Sequence, residues 1–103
     1  MSEKLLRIIN HYGILPQLKY FQSEVFELNE AIIRYNEAEY NYFEGYFYVD
    51  GDDYELKNHI KEEIADVLVM LLQFKEYYHI EVKDILKIME EKIERQLKRI
   101  EDE

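Results

Sequence analysis

The chain contains no cysteine, only three glycines and one proline, and far fewer basic than acidic residues. Without cysteine, disulfides and thiolate metal sites are excluded, and a reducing compartment is compatible with the composition. With so few breakers, long stretches are free to form regular helix. Lys and Arg number 13 against 23 Asp and Glu, a formal net charge of −10. That balance opposes nonspecific binding to DNA or RNA, which rests on Lys and Arg neutralising phosphates. It also repels a small polyphosphate unless bound divalent cations invert the local field. No long uninterrupted apolar run occurs, and no basic leader precedes one, so neither a membrane span nor a secretory leader is expected. The reading is a cytoplasmic protein.

What is present follows a helical period. In 103 residues, 48% of them hydrophobic, apolar positions recur mostly at three and four, giving an all-α, four-helix, single-domain expectation for 1–103. A domain of this size is small enough that association often helps stabilise it. A first helix is expected from about Ser2, as N-cap, to Tyr12, with Gly13 taking a left-handed C-cap conformation. Pro16 suits the first turn of a second helix reaching about Asn36, with a seam of Leu18, Phe21, Val25, Leu28 and Ile32. Residues 37–57 break the pattern with aromatics and acids. Residues 46–49 followed by Asp50-Gly51 fit a small hairpin, or an irregular loop whose aromatics cover the bundle or an interface. A third helix is expected from near Leu56 to Tyr77 or Tyr78, carrying Ile60, Ile64, Val67, Leu71 and Phe74. A fourth runs from about Val82 through Ile85, Ile88, Met89, Ile93, Leu97 and Ile100.

Two acidic pairs stand inside the second and third helices, Glu24-Val25-Phe26-Glu27 and Glu63-Ile64-Ala65-Asp66. Residues three apart share a helix face, so each pair projects two carboxylates one way, and neighbouring helices would converge four. Glu24 and Glu27 border the seam beside Phe21, Leu28 and Ala31, which reads as partial burial or as ordinary boundary glutamates. Asp66 is the one charged residue in an otherwise apolar run over 65–72, and an ionised carboxylate buried there needs a partner. Oxygen-only ligands select hard cations, Mg²⁺ first and Mn²⁺ as substitute, over zinc or copper. Such ions hold substrate phosphates and can activate a water, while the chain offers no competing nucleophile. On the fourth helix Lys92, Gln96 and Arg99 fall at i, i+4 and i+7 with Arg95 beside them, either a solvated stripe or phosphate contacts. Lys92 shares its face with Ile85, Ile88 and Met89.

Gln17, then Ser23-Glu24-Val25-Phe26-Glu27-Leu28, then Glu62-Glu63-Ile64-Ala65-Asp66-Val67-Leu68, then Lys92-Ile93-Glu94-Arg95-Gln96-Leu97-Lys98-Arg99 together resemble the MazG-like all-α nucleoside triphosphate pyrophosphohydrolases. The resemblance covers nearly the whole chain outside the aromatic insertion. It implies hydrolysis of an NTP or dNTP between the α and β phosphates, giving monophosphate and pyrophosphate. By position it makes Glu24, Glu27, Glu63 and Asp66 metal ligands, one of them also orienting or deprotonating the water. It puts Lys92 on phosphates, with Arg95, Gln96 and Arg99 as further candidates and Gln17 near the base or the metal shell. It also implies a dimer or dimer of dimers. The chain departs from the pattern in three ways: Ser23 replaces a frequent further glutamate, Gln96 a frequent asparagine, and the gap from Glu27 to Glu63 is long. Tyr46, Phe47, Tyr48 and Tyr54 in that gap are candidate lids or stackers.

Two rival readings use the same acids. A di-iron carboxylate bundle wants two Glu-x-x-His motifs, and only Glu76-Tyr77-Tyr78-His79 fits. A non-enzymatic acidic helical dimer that binds a protein partner predicts carboxylates spread outward.

Overall fold

The structure, a computed structural model, describes residues 1–43 and 53–103. The expected hairpin or loop with Tyr46, Phe47 and Tyr48 lies outside the described residues. Four helices follow one another: α1 (Ser2–Tyr12), α2 (Ile14–Phe43), α3 (Asp53–Tyr77) and α4 (Val82–Glu101). The fold is all-α, as the three-and-four periodicity dictates. Helix α2 runs seven residues past the expected end and α3 starts three earlier. The first breaker after Pro16 is Gly45, so nothing local stops α2 at Asn36, whose side-chain amide simply bonds back to the Ile32 carbonyl at 2.8 Å.

The joints are defined by single residues. Ser2 is the first helical residue and not the N-cap, which is Met1. Its hydroxyl instead donates to Glu76 Oε1 at 3.1 Å, tying α1 to the end of α3. Gly13 has the positive φ foreseen for it, but at φ 94° and ψ 155° it lies outside the left-handed helical basin. Its N–H closes α1 on the Ile9 carbonyl at 2.8 Å and its own carbonyl accepts from Gln17 N–H at 3.2 Å, so one residue ends α1 and starts α2. At the end of α3, the His79 N–H donates to the Glu76 carbonyl and the Ile80 N–H to the Lys75 carbonyl. With His79 at φ 56°, this is a Schellman turn with histidine where glycine is usual.

Helix α3 packs on both α1 and α2. The facing line of α2 is Gln17, Glu24 and Ala31, all buried, and that of α3 is Leu56, Glu63 and Met70 with Gln73. Steps of seven keep each line on the partner side. The lines run antiparallel: Gln17 meets Gln73, Phe21 meets Phe74 edge to face at 5.4 Å, and Lys57 lies over the Tyr35 ring at 5.7 Å. The expected seam was therefore displaced by about one residue. Leu18, Val25 and Ile32, and on α3 Ile64 and Leu71, are exposed, because the inner line belongs to polar residues and the greasier stripe lies beside it. Leu5 and Ile9 of α1 complete the small core.

Helix α4 makes no extended packing against α1, α2 or α3. Leu86, Met89, Ile93, Leu97 and Ile100 all remain exposed, although their spacing forms one apolar stripe. Among the described residues no helix is long and apolar enough to cross a membrane.

Candidate active site

Halfway along the α2–α3 seam the two facing lines place Glu24 against Glu63. One carboxylate oxygen from each of Glu24, Glu63 and Asp66 lies within 4.8 Å of the others. Glu24 is 5% exposed and Glu63 8%. One oxygen of each, Glu24 Oε2 and Glu63 Oε2, is buried with no hydrogen-bond partner among the described residues. Buried carboxylate oxygens of native proteins are nearly always bonded, so this pair is chemically suited to a cation or a shared proton.

Asp66 departs from its expected place. It is exposed, as are Ile64, Leu68, Val69 and Leu71 around it, because α1 and α2 cover only one side of α3. The buried acids are one from each helix, and Asp66 supplies the open side of the cluster. Glu27 is also exposed and stands outside the close set, yet its charge reaches Glu63.

The Glu63 carboxyl holds its proton above the usual carboxylate range. Burial is the main cause, followed by the charge of Glu27, with Asp66 and Glu24 adding to it. His59, one turn earlier on α3 with Nε2 3.8 Å from Glu63 Oε1, works the other way. The Tyr20 hydroxyl, one turn before Glu24, donates to the Glu24 carboxylate. That bond, and then the negative charge of Glu24, raise the Tyr20 pKa further, with smaller contributions from burial, Asp66 and Glu27. Sequence reasoning passed over Tyr20, although its i,i+4 spacing to Glu24 was available.

Beside the acids opens a cavity of about 570 Å³, lined by Ile8, Tyr12, Pro16, Gln17, Tyr20, Glu24, Asp66, Val69, Met70 and Gln73. Gln17, expected near the base or the metal shell, lines this cavity together with Glu24 and Asp66. Gln73, seven residues beyond Asp66, was not foreseen, because it belongs to no motif of its own. A second, smaller cavity of about 340 Å³ lies farther along the α2–α3 groove, among Glu30, Ile33, Arg34, Glu37 and His59. Lys92, Arg95, Gln96 and Arg99 of α4 are exposed and line neither cavity. His79 and His11 stand outside the acid cluster, and Glu76 is engaged by Lys75 at 2.6 Å and by Ser2, leaving no di-iron arrangement among the described residues.

Two seam carboxylates with orphaned oxygens, an exposed third and an adjoining cavity make a set able to hold a metal ion next to a ligand. No curated protein and no solved structure was found to match the chain. Residues 14–100 match the family model of the MazG nucleotide pyrophosphohydrolase domain, and this match includes all three clustered acids. The chain thus belongs to the MazG nucleotide pyrophosphohydrolases, hydrolases that act on an acid anhydride.

Proposed function

We propose that this protein hydrolyses a nucleoside triphosphate, ribo or deoxy, to the monophosphate and pyrophosphate with the help of Mg²⁺, with Mn²⁺ as a substitute. The observation that carries the reading is the buried Glu24–Glu63 pair with its unpartnered oxygens, set beside a cavity that Glu24 helps line and that is large enough for a nucleoside. The donor set is all carboxylate oxygen, the chemistry that suits a hard cation. Glu24, Glu63 and Asp66 are the residues that would hold it, with Glu27 the flanking fourth acid. A divalent cation there supplies the positive charge that lets a polyphosphate approach so acidic a site and makes a bound water more acidic.

The chain's own residues do the rest. The apolar wall of the cavity, Ile8, Val69 and Met70, takes the nucleoside and excludes water from it. Tyr20 fixes the Glu24 carboxylate through its hydroxyl. Asp66, the accessible acid that also faces the cavity, orients the attacking water and takes its proton. The water oxygen bonds to the α phosphorus, the bond to the bridging oxygen breaks, and pyrophosphate leaves with the electron pair. Lys92, Arg95, Gln96 and Arg99 bind the departing phosphates once α4 is brought over the acids. In this reading residues 1–103 act as one domain within a homodimer or homotetramer that works among the cytoplasmic nucleotides.

The test is a panel of NTPs and dNTPs with Mg²⁺, assayed for monophosphate and pyrophosphate. Asp66→Asn is expected to lower kcat by about 10²- to 10⁴-fold, the usual worth of a positioned base. Glu63→Gln is expected to abolish the Mg²⁺ response. Release of orthophosphate alone, or turnover indifferent to both substitutions, would sink the mechanism. An inert wild type would instead favour an acidic helical dimer that binds a protein partner.

A further inference from the structure

Among the described residues the buried polar side chains outside the acid cluster are Gln17 and Gln73, 7% and 2% exposed. They face each other across the α2–α3 seam. Gln17 Nε2 donates to Gln73 Oε1 at 2.7 Å, while Gln73 Nε2 reaches only the Met70 sulfur at 3.7 Å, a weak acceptor. A carboxamide carries two N–H donors and a carbonyl with two lone pairs. The seam therefore leaves much of this capacity unused, including the carbonyl of Gln17. Both residues line the 570 Å³ cavity beside Ile8, Val69 and Met70. Polar groups set among such neighbours are costly unless something completes their hydrogen bonds. A pin between two helices needs one bond and a closed core, and this core opens on a cavity. The same cavity has Glu24 and Asp66 on its rim, so its occupant has a flat polar edge at one end and an anionic chain at the other.

We infer that the Gln17–Gln73 pair is the nucleobase-reading element of the enzyme. Gln17 touches the base edge and Gln73 is the positioning residue that fixes its carboxamide. This rests on the cavity being the seat of the nucleoside. Because Gln73 accepts from the Gln17 amide, the Gln17 carbonyl keeps its accepting capacity, and it selects a base that presents an N–H or amino group to it. A site built on such a bond discriminates far more sharply than an apolar pocket does.

The experiment compares wild type with Gln17→Glu, Gln73→Leu and the double substitution Gln17→Leu with Gln73→Leu. Two readouts are taken with Mg²⁺ present: kcat/KM for the ribo- and deoxyribonucleoside triphosphates of each base, and calorimetric affinity for the nucleoside monophosphates. The second needs no hydrolysis. Wild type is expected to favour some bases over others by at least about tenfold in both readouts. Gln73→Leu raises KM for the favoured base while kcat holds, and Gln17→Glu reorders the bases. The double variant removes both polar partners together, so it stays folded and loses the ranking. Equal treatment of all bases by wild type overturns the inference, as does a ranking unchanged in the double variant. Should the double variant fail to fold, an unchanged ranking in Gln17→Glu overturns it alone. Base-selective monophosphate binding without triphosphate turnover supports the pair and refutes the hydrolytic reading instead.

Discussion

Glu63 is a carboxylate placed where carboxylates are least at ease, and its raised pKa has a consequence for stability. A group whose folded pKa lies above its unfolded value, about 4.3 for glutamate, contributes stability that is complete below that value. The contribution is lost as pH rises through the folded pKa. Glu76 has the opposite sign: hydrogen bonds from Lys75, and then Ser2, hold it below the ordinary range. Its contribution is present above the unfolded value and lost as pH falls. In chelator, Glu63→Gln should therefore melt above wild type at pH 7, with the gap closing toward pH 4.5, because only the buried charge has been removed. Added Mg²⁺ should stabilise wild type and leave the variant unchanged. Thermal melts across that pH range check this, and a gap independent of pH would contradict it. Glu24, Glu27, Glu63 and Asp66 were legible as a set of four from their spacing, and the structure draws three of them together and leaves Glu27 outside. Which of them is buried was not, since burial depends on which face α1 and α2 cover, and Asp66 and Glu24 exchanged the places their neighbours suggested.

Helix ends and helix faces differed in how openly the chain displays them. Gly13 announced the α1–α2 joint, and Val82–Glu101 emerged with the bounds its periodicity indicates. The α2 and α3 seams did not, because following the most apolar residues leads to Leu18, Val25 and Ile32, whereas the inner line carries Gln17 and Glu24. A candidate site on a seam hides in this way: polar residues take core positions, and the apolar pattern shifts by a residue. The joints also offer a contrast in backbone strain. At Gly13 a Cβ would meet only Pro16 Cδ at 3.6 Å, so space is available and conformation alone forbids a side chain. Gly13→Ala should cost about 1–3 kcal/mol. At His79 the left-handed backbone already carries a side chain, and His79→Gly should stabilise by about 0.5–1 kcal/mol. Urea unfolding of the pair should give opposite signs; equal signs would mean that side-chain contacts, and not φ, decide at these joints.

The whole molecule is loose for its mass. A 12.7 kDa chain exposes 8751 Å², against about 6,200 Å² for a compact monomer of that size. Its radius of gyration is 17.9 Å, against about 13 Å. Among the described residues α4 and the outer stripes of α2 and α3 expose large apolar side chains, and the excess area exceeds the roughly 800 Å² per partner of a standard interface. Association with further copies is the expected remedy. Ile93→Asp with Leu97→Asp should convert the assembly to monomers in size-exclusion chromatography with light scattering, and lower activity in step. A wild type that runs as a monomer at micromolar concentration would refute this. The expectation of a dimer or dimer of dimers came from the sequence only through family resemblance, since an apolar stripe reads the same whether it is covered by its own chain or by another. The acid layer across the α2–α3 seam has one more effect. It divides the buried interior into two short segments, one around Phe21, Phe74 and Met70, the other around Ala31 and Leu56, with the buried Glu24 and Glu63 between them. A cation bound at that layer should tie the two ends together, so occupancy of the site is expected to raise the cooperativity with which these helices unfold.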